Sequence, residues 1–231
     1  MRYYDVAPLY DTPGADLKYT DDEISSYSDI FDNAETDIDE EDERAVISAI
    51  KALSQGDIDH AVDTDEVIRY FAAHNFITCA DSYTWKMLHN YGLYEKDGIL
   101  SMIPWDYNLA FNDPVLSEEG DADQILYNLI HMDMDDPGFL GVTGEDRPMW
   151  NWITKDEAYL SSYHKVIKEE LLPYFTSGQF QKDMDALSAM IRPYLEQDPT
   201  YYYSMEEYDQ AYAALIDFCL QRTIYVKNEL P

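Results

Sequence analysis

Cysteine is almost missing from this chain: Cys79 and Cys219 are the only two in 231 residues. With no Cys-x-x-Cys pair, neither a zinc module nor a disulfide framework can be built. Each cysteine lies in an apolar periodic segment and reads as a buried free thiol. Basic side chains are scarce too: 15 Lys and Arg stand against 47 Asp and Glu, a formal net charge of −32 at pH 7. That balance excludes a binder of bare nucleic acid, which needs clustered cations to neutralise phosphates. It also opposes docking on an anionic membrane. No apolar run approaches the ~20 residues of a membrane span, and the N-terminus lacks the charged-then-apolar pattern of a signal peptide. Any export signal would lie outside this chain.

What is present is enough for a core. Hydrophobic residues make up 46% and aromatics 14%, with 21 Tyr, so the acidity marks a solvated surface rather than a disordered chain. The length suits a single domain over residues 1–231. Residues 1–38 read as an extended, loop-like leader. The acidic run Glu35 to Glu43 reads as a helix N-terminus, where carboxylates meet the positive end of the dipole; the spacing of a calcium loop is missing.

Helical periodicity follows. Val46, Ala49, Ile50 and Leu53 form one stripe with Gly56 just beyond, and Asp63 with Glu66 opens a second helix carrying Val67, Ile68, Phe71 and Ala72. His74 reads as a packed helix residue, since no second His stands at metal spacing. Residues 112–147, rich in glycine, read as loop. Thr154 with Glu157, and Ser204 with Glu207, read as capping boxes around three closing helices. Between these elements, Tyr91 to Ile103 reads as a β-hairpin turning at Lys96-Asp97-Gly98. The fold class expected is mainly α (α+β), helical with one small hairpin.

Pairing Glu95 with Ile99 sets Asn90 opposite Pro104 and Leu88 opposite Asp106. Asn90 and Asp106 then leave the open end of the hairpin together, with Asp81 nine residues upstream of Asn90. The order Asp, Asn, hairpin, Asp is the layout of a kinase centre, in which an Asp orients the acceptor hydroxyl and an Asn and a second Asp hold Mg²⁺. Mg²⁺ takes oxygen ligands and keeps several waters. Taken alone the pattern is weak, because Asp and Asn more often serve as caps and turn residues.

The segment Ile68 to Phe111 carries more specific marks: Asp81-Ser82-Tyr83, then His89-Asn90-Tyr91 with Leu93-Tyr94, then Ile103-Pro104-Trp105-Asp106-Tyr107. In these it resembles the CotH family, the spore coat protein H-like atypical protein kinases. Softer similarity extends upstream through GADLKYTDD and downstream through EDRPMWNWI and the FCLQR helix. The resemblance implies the C-terminal lobe of a kinase-like fold, using Mg²⁺ and ATP to phosphorylate Ser or Thr of secreted or spore-coat proteins, the substrate Ser-rich and basic. It implies an extracellular, cell-envelope or spore-coat setting. Carried onto this chain, Asp81 takes the catalytic role, Asp106 is the metal ligand, Asn90 a second metal or phosphate contact and Asn108 a further candidate. The sequence departs from the family at Trp85, where small residues are usual, at Gly92, where Tyr is usual, and at Asn112-Asp113-Pro114, where a glycine-rich stretch is expected. No strand-rich region precedes Asp81, so the N-terminal nucleotide lobe is expected to be missing, and this chain by itself to bind nucleotide weakly and transfer phosphate slowly or not at all. The alternatives are a non-enzymatic binding or structural module on the same fold, and an acidic domain stabilised by Ca²⁺.

Overall fold

The computed structural model describes residues 1–6, 14–85, 88, 90–111, 121–137 and 142–231. It is mainly α (α+β), 60% helical with a small antiparallel sheet of three strands. The chain forms two compact units, Met1–His164 and Lys165–Pro231. His89 and Asn112-Asp113-Pro114, singled out in the sequence, lie outside the described residues.

The sheet has the order β1 (Arg2–Val6), β2 (Tyr91–Lys96), β3 (Ile99–Pro104). The hairpin forms where expected, but its turn is tighter. Lys96 pairs with Ile99 and Tyr91 with Pro104, so two residues close the loop instead of three and every partner shifts by one. Asp97 (φ 56°) and Gly98 (φ 80°) both take left-handed conformations, the geometry whose twist matches the flanking strands. The Glu95 carboxylate accepts the Gly98 amide at 2.6 Å and pins the loop.

The N-terminal segment is not a loose leader. Arg2–Val6 adds an antiparallel strand to β2, with Tyr3 opposite Tyr94 and Tyr4 opposite Leu93. Tyr4, Ala15, Leu17, Tyr27 and Ile30 are fully buried. Gly92 belongs to the same packing. A Cβ at that position would stand 2.5 Å from Cε2 of Tyr3, so the small residue makes room for the β1 ring.

Helix α1 (Ser28–Phe31) is one turn. Helix α2 (Glu40–Ser54) begins as the acidic run suggested: the Asp39 side chain accepts from the Glu41 and Asp42 amides, and Asp42 returns the contact. Helix α3 (Thr64–Phe76), capped by Asp63 on the Glu66 amide at 3.1 Å, buries Val67, Ile68, Tyr70, Phe71, Ala72, His74, Asn75 and Phe76. It is the central core element of its unit, and Phe71 meets Trp150 at 5.2 Å between ring centroids.

Residues 112–147 are not all loop. Helix α4 (Ala122–Ile130), capped by Asp121, buries Ile125, Leu129 and Ile130. Helix α5 (Pro148–Lys155) follows. Thr154 is not a cap; its hydroxyl donates to Asn151 O inside α5. Asp156 takes that role for α6 (Glu157–Val166), accepting from the Ala158 and Tyr159 amides. In the second unit a π-helical turn over Ile167–Leu171 leads to α7 (Leu172–Thr176), α8 (Gln179–Leu195) and α9 (Met205–Glu229). The Ser204–Glu207 capping box forms as expected.

Gly92→Ala is expected to cost about 1–3 kcal/mol through overpacking. The cost should shrink in a Tyr3→Ala background, because the clash is with that ring. Urea unfolding of the four-member cycle checks it; an equal cost in both backgrounds contradicts the contact.

Candidate active site

The site forms where α3 ends and the hairpin opens. Helix α3 stops at Ile77, and Thr78 turns the chain with φ 49°. The buried Cys79-Ala80 pair leads to a half-buried Asp81. Phe111 donates its amide to Ile77 O at 2.9 Å, which returns the segment after β3 to the same helix end.

Asn90, itself at φ 56°, stands just before β2. Its Nδ2 donates to Oδ2 of Asp81 at 2.9 Å and to the Asp81 carbonyl at 3.1 Å. This leaves Oδ1 as the amide's other polar atom. Asp106, at φ 47°, follows β3 after Trp105 and its side chain is exposed. Carried one step past the ladder, the register sets Asn90 across from Trp105, next to Asp106, rather than across from Pro104. Burial pushes the Cys79 thiol up to about 11, and its contact with the Asp81 carbonyl at 3.8 Å pulls against that rise. Asn108 is exposed on the single turn Tyr107–Leu109 beyond Asp106. The structure joins Asp81 to Asn90 directly, sets Asp106 just beyond the end of β3, and leaves Asn108 on the following turn.

Thr78, Leu88, Asn90, Asp106 and Phe111 all have positive φ. Asn and Asp tolerate this conformation better than most residues, whereas a β-branched Thr does not. Each such residue costs on the order of 1–3 kcal/mol and persists only where its surroundings impose it. Here the surroundings are a buried polar network that the sequence reading missed. His74 Nδ1 meets the Tyr107 hydroxyl at 2.7 Å, and Nε2 meets Thr84 Oγ1 at 2.9 Å and Ser82 Oγ at 3.1 Å. One imidazole therefore ties the loop after Asp81 to the turn after Asp106. Burial holds it neutral, with its pKa down at about 3.

Arg147 secures the other side of the loop. Its buried guanidinium donates to Tyr83 O and Trp85 O, both at 2.5 Å, and lies 5.8 Å from the Tyr83 ring centroid. The Tyr83 hydroxyl donates to Asp16 O at 3.0 Å and accepts the Met149 amide at 3.1 Å. Two carboxylates and an amide oxygen form a hard donor set suited to Mg²⁺. Among the described residues, no group of three or more His, Cys, Asp or Glu is placed to hold a metal ion. A cation here would draw further oxygens from its ligand and from water.

His74 also sets a pH dependence. Folded, it stays neutral down to about pH 3; unfolded, it takes a proton below about 6.5. The unfolded state therefore binds more protons across that window, and the group's contribution is lost as pH falls from about 6.5 toward 3, by up to about 1.4 kcal/mol per unit. Urea unfolding of wild type and His74→Gln should show a gap at pH 7 that narrows by pH 5. A constant gap contradicts the neutral buried imidazole.

A family model described as CotH kinase protein matches residues 2–226. The chain is similar to the inner spore coat protein H of Bacillus subtilis (strain 168), 24% identical over 182 residues, which is 78% of this chain and 45% of that protein. The chain thus spans a little under half the length of that curated relative. No solved structure matches. With a family match running across almost all of its length, this chain belongs to the CotH kinase protein family.

Proposed function

We propose that this chain carries the acceptor-side and metal-side groups of an atypical protein kinase that transfers phosphate from Mg²⁺-ATP to Ser or Thr of spore-coat or secreted proteins. The observation that supports it best is the Asn90 amide held against the Asp81 carboxylate, with Asp106 leaving the neighbouring strand end. In phosphoryl transfer the protein supplies mostly positioning and charge neutralisation. Asp81 is the group that orients the acceptor hydroxyl and takes its proton, and the Nδ2 contact of Asn90 fixes one oxygen of that carboxylate. Asp106 and Asn90 Oδ1 are the residues that would hold Mg²⁺, with Asn108 as a further oxygen donor. When bound, that ion supplies charge neutralisation and orientation at the phosphates. Net charge of −32 makes the order matter: without the cation, these carboxylates repel a nucleotide. The association of the Bacillus subtilis relative with the spore coat, stated in its name, supports a coat protein as acceptor, and a Ser-rich basic sequence would complement the acidic surface.

Thermal unfolding with Mg²⁺-ATP at about 100 times its Kd should gain about 2.7 kcal/mol over the metal-free sample. Asp106→Ala should abolish that gain while leaving the helical circular dichroism unchanged. Asp81→Asn should keep the gain and lower phosphate transfer to a Ser-rich basic peptide by about 10²–10⁴-fold. An undiminished gain in Asp106→Ala removes the metal role. A gain that Asp81→Asn and Asp106→Ala both leave intact favours a binding module over an enzyme.

A further inference from the structure

A polar cavity of about 570 Å³ opens in the first unit and shares no residue with the Asp81 site. Its lining follows from local signals. Gly56, at φ 78°, leads the chain out of α2 toward the single turn Ile58–His60, and this stretch contributes Asp57 and Asp59. On α5, Pro148, Asn151, Trp152 and Lys155 line the cavity at i, i+3, i+4 and i+7, the spacing of one helix face. Met149, Trp150 and Ile153, on the rest of that helix, are buried in the core. Asp156 and Tyr159 join from the start of α6.

The lining holds unused hydrogen-bonding capacity of both kinds. Asp57 Oδ1 meets His60 Nδ1 at 2.8 Å, and Asp59 Oδ1 accepts the Tyr159 hydroxyl at 3.4 Å. Asp156 Oδ1 accepts the Ala158 and Tyr159 amides at 2.8 and 3.3 Å. Each carboxylate thus engages one oxygen, and its Oδ2 has no hydrogen-bond partner among the described residues. Lys155 is the basic residue of the lining, and its Nζ lies 3.7 Å from Glu145. A donor is unmatched as well. Trp152 is only 6% exposed and its Nε1 has no partner. A buried indole N–H usually finds an acceptor, so an unmatched one on a residue lining a cavity points to a ligand that brings an oxygen.

We propose that this cavity binds an arginine residue, with the guanidinium among Asp57, Asp59 and Asp156 and the carbonyl or carboxylate oxygen toward Trp152. A guanidinium presents a planar fork of N–H donors that matches carboxylates, and it leaves water more readily than an ammonium does. It also lies well against an aromatic ring, which Tyr159 offers. Leu53 and Ile58 give its aliphatic stem apolar surface. The arginine can belong to a partner's peptide segment or be the free amino acid; the recognition chemistry is the same.

The test is a nuclear magnetic resonance titration of the whole nitrogen-15-labelled chain, and it needs no nucleotide. The probes are acetyl-Gly-Arg-Gly-amide, the same tripeptide with neutral citrulline for arginine, and free arginine. The chain has four Trp, and the Trp152 indole signal is assigned by its loss in Trp152→Phe. That signal and the Asn151 and Tyr159 amides should shift saturably with the arginine peptide, and the citrulline peptide should bind at least about tenfold more weakly. Asp57→Asn combined with Asp59→Asn should weaken the arginine peptide by about tenfold, whereas Asp65→Asn on α3 should leave it unchanged. Circular dichroism confirms the fold of each variant, and the citrulline comparison is made on wild type alone. Tighter binding of the peptide than of free arginine upholds the site and assigns it to a protein partner; the reverse order upholds it for the free amino acid. Equal binding of the citrulline peptide overturns the proposal. So do shifts scattered over the acidic surface instead of the cavity, the absence of any saturable shift, or undiminished binding in the double variant.

Discussion

His74 carries the arrangement of the candidate site. Its ring sits in the core of the first unit, stacked on Tyr70 at 5.3 Å between centroids, and all three of its polar partners come from outside its own helix. Ser82 and Thr84 belong to the loop that carries Asp81; Tyr107 follows Asp106. A neutral imidazole has one donor and one acceptor nitrogen, so it can serve hydroxyls on both sides without bringing a buried charge. A protonated ring would carry that charge into the core, where burial penalises it. The depressed pKa is thus the condition for holding two loops together.

That clamp explains how the site tolerates its backbone. Five residues around it have positive φ, and together they store several kcal/mol, on the order of a small domain's entire margin of stability. Such strain survives only if packing elsewhere offsets it. Arg147, bound to the carbonyls of Tyr83 and Trp85, and Tyr91, bound to Ala15 O at 2.5 Å, supply that support from distant parts of the chain. The acids themselves need little rebuilding on this scaffold. Asp106 is exposed and contributes to charge more than to packing, whereas Asn90 is buried and does both.

Local signals were legible in the sequence. The acidic start of α2, the capping residues Asp63 and Ser204, the Asp-Gly turn and the stripes of α2 and α3 each show within a few neighbouring residues, and each formed. The order of Asp81, Asn90 and Asp106 around a hairpin was legible too, although the register shifted by one because Lys96 joined the strand instead of the turn. Long-range pairings were not. Strand β1 finds its partner some ninety residues away, and no periodicity within five residues announces that. His74 could be placed on a buried face, but its partners lie as far as 33 residues on. The one local hint was the pair of hydroxyls, Ser82 and Thr84, directly after the motif Asp. Helix α4 was hidden by the glycine- and proline-rich stretches on either side.

The central claim is that Asp81, Asn90 and Asp106 form one cation-dependent phosphate site on this scaffold. The most direct measurement is a crystal structure of the chain grown with Mg²⁺ and a non-hydrolysable ATP analogue. The account predicts Mg²⁺ bound to a carboxylate oxygen of Asp106 and to Asn90 Oδ1 at about 2.1 Å, with phosphate oxygens completing the shell and the Asp81 carboxylate turned toward the γ-phosphate. Nucleotide bound elsewhere on the chain, or Asp106 turned away from the metal, would contradict it.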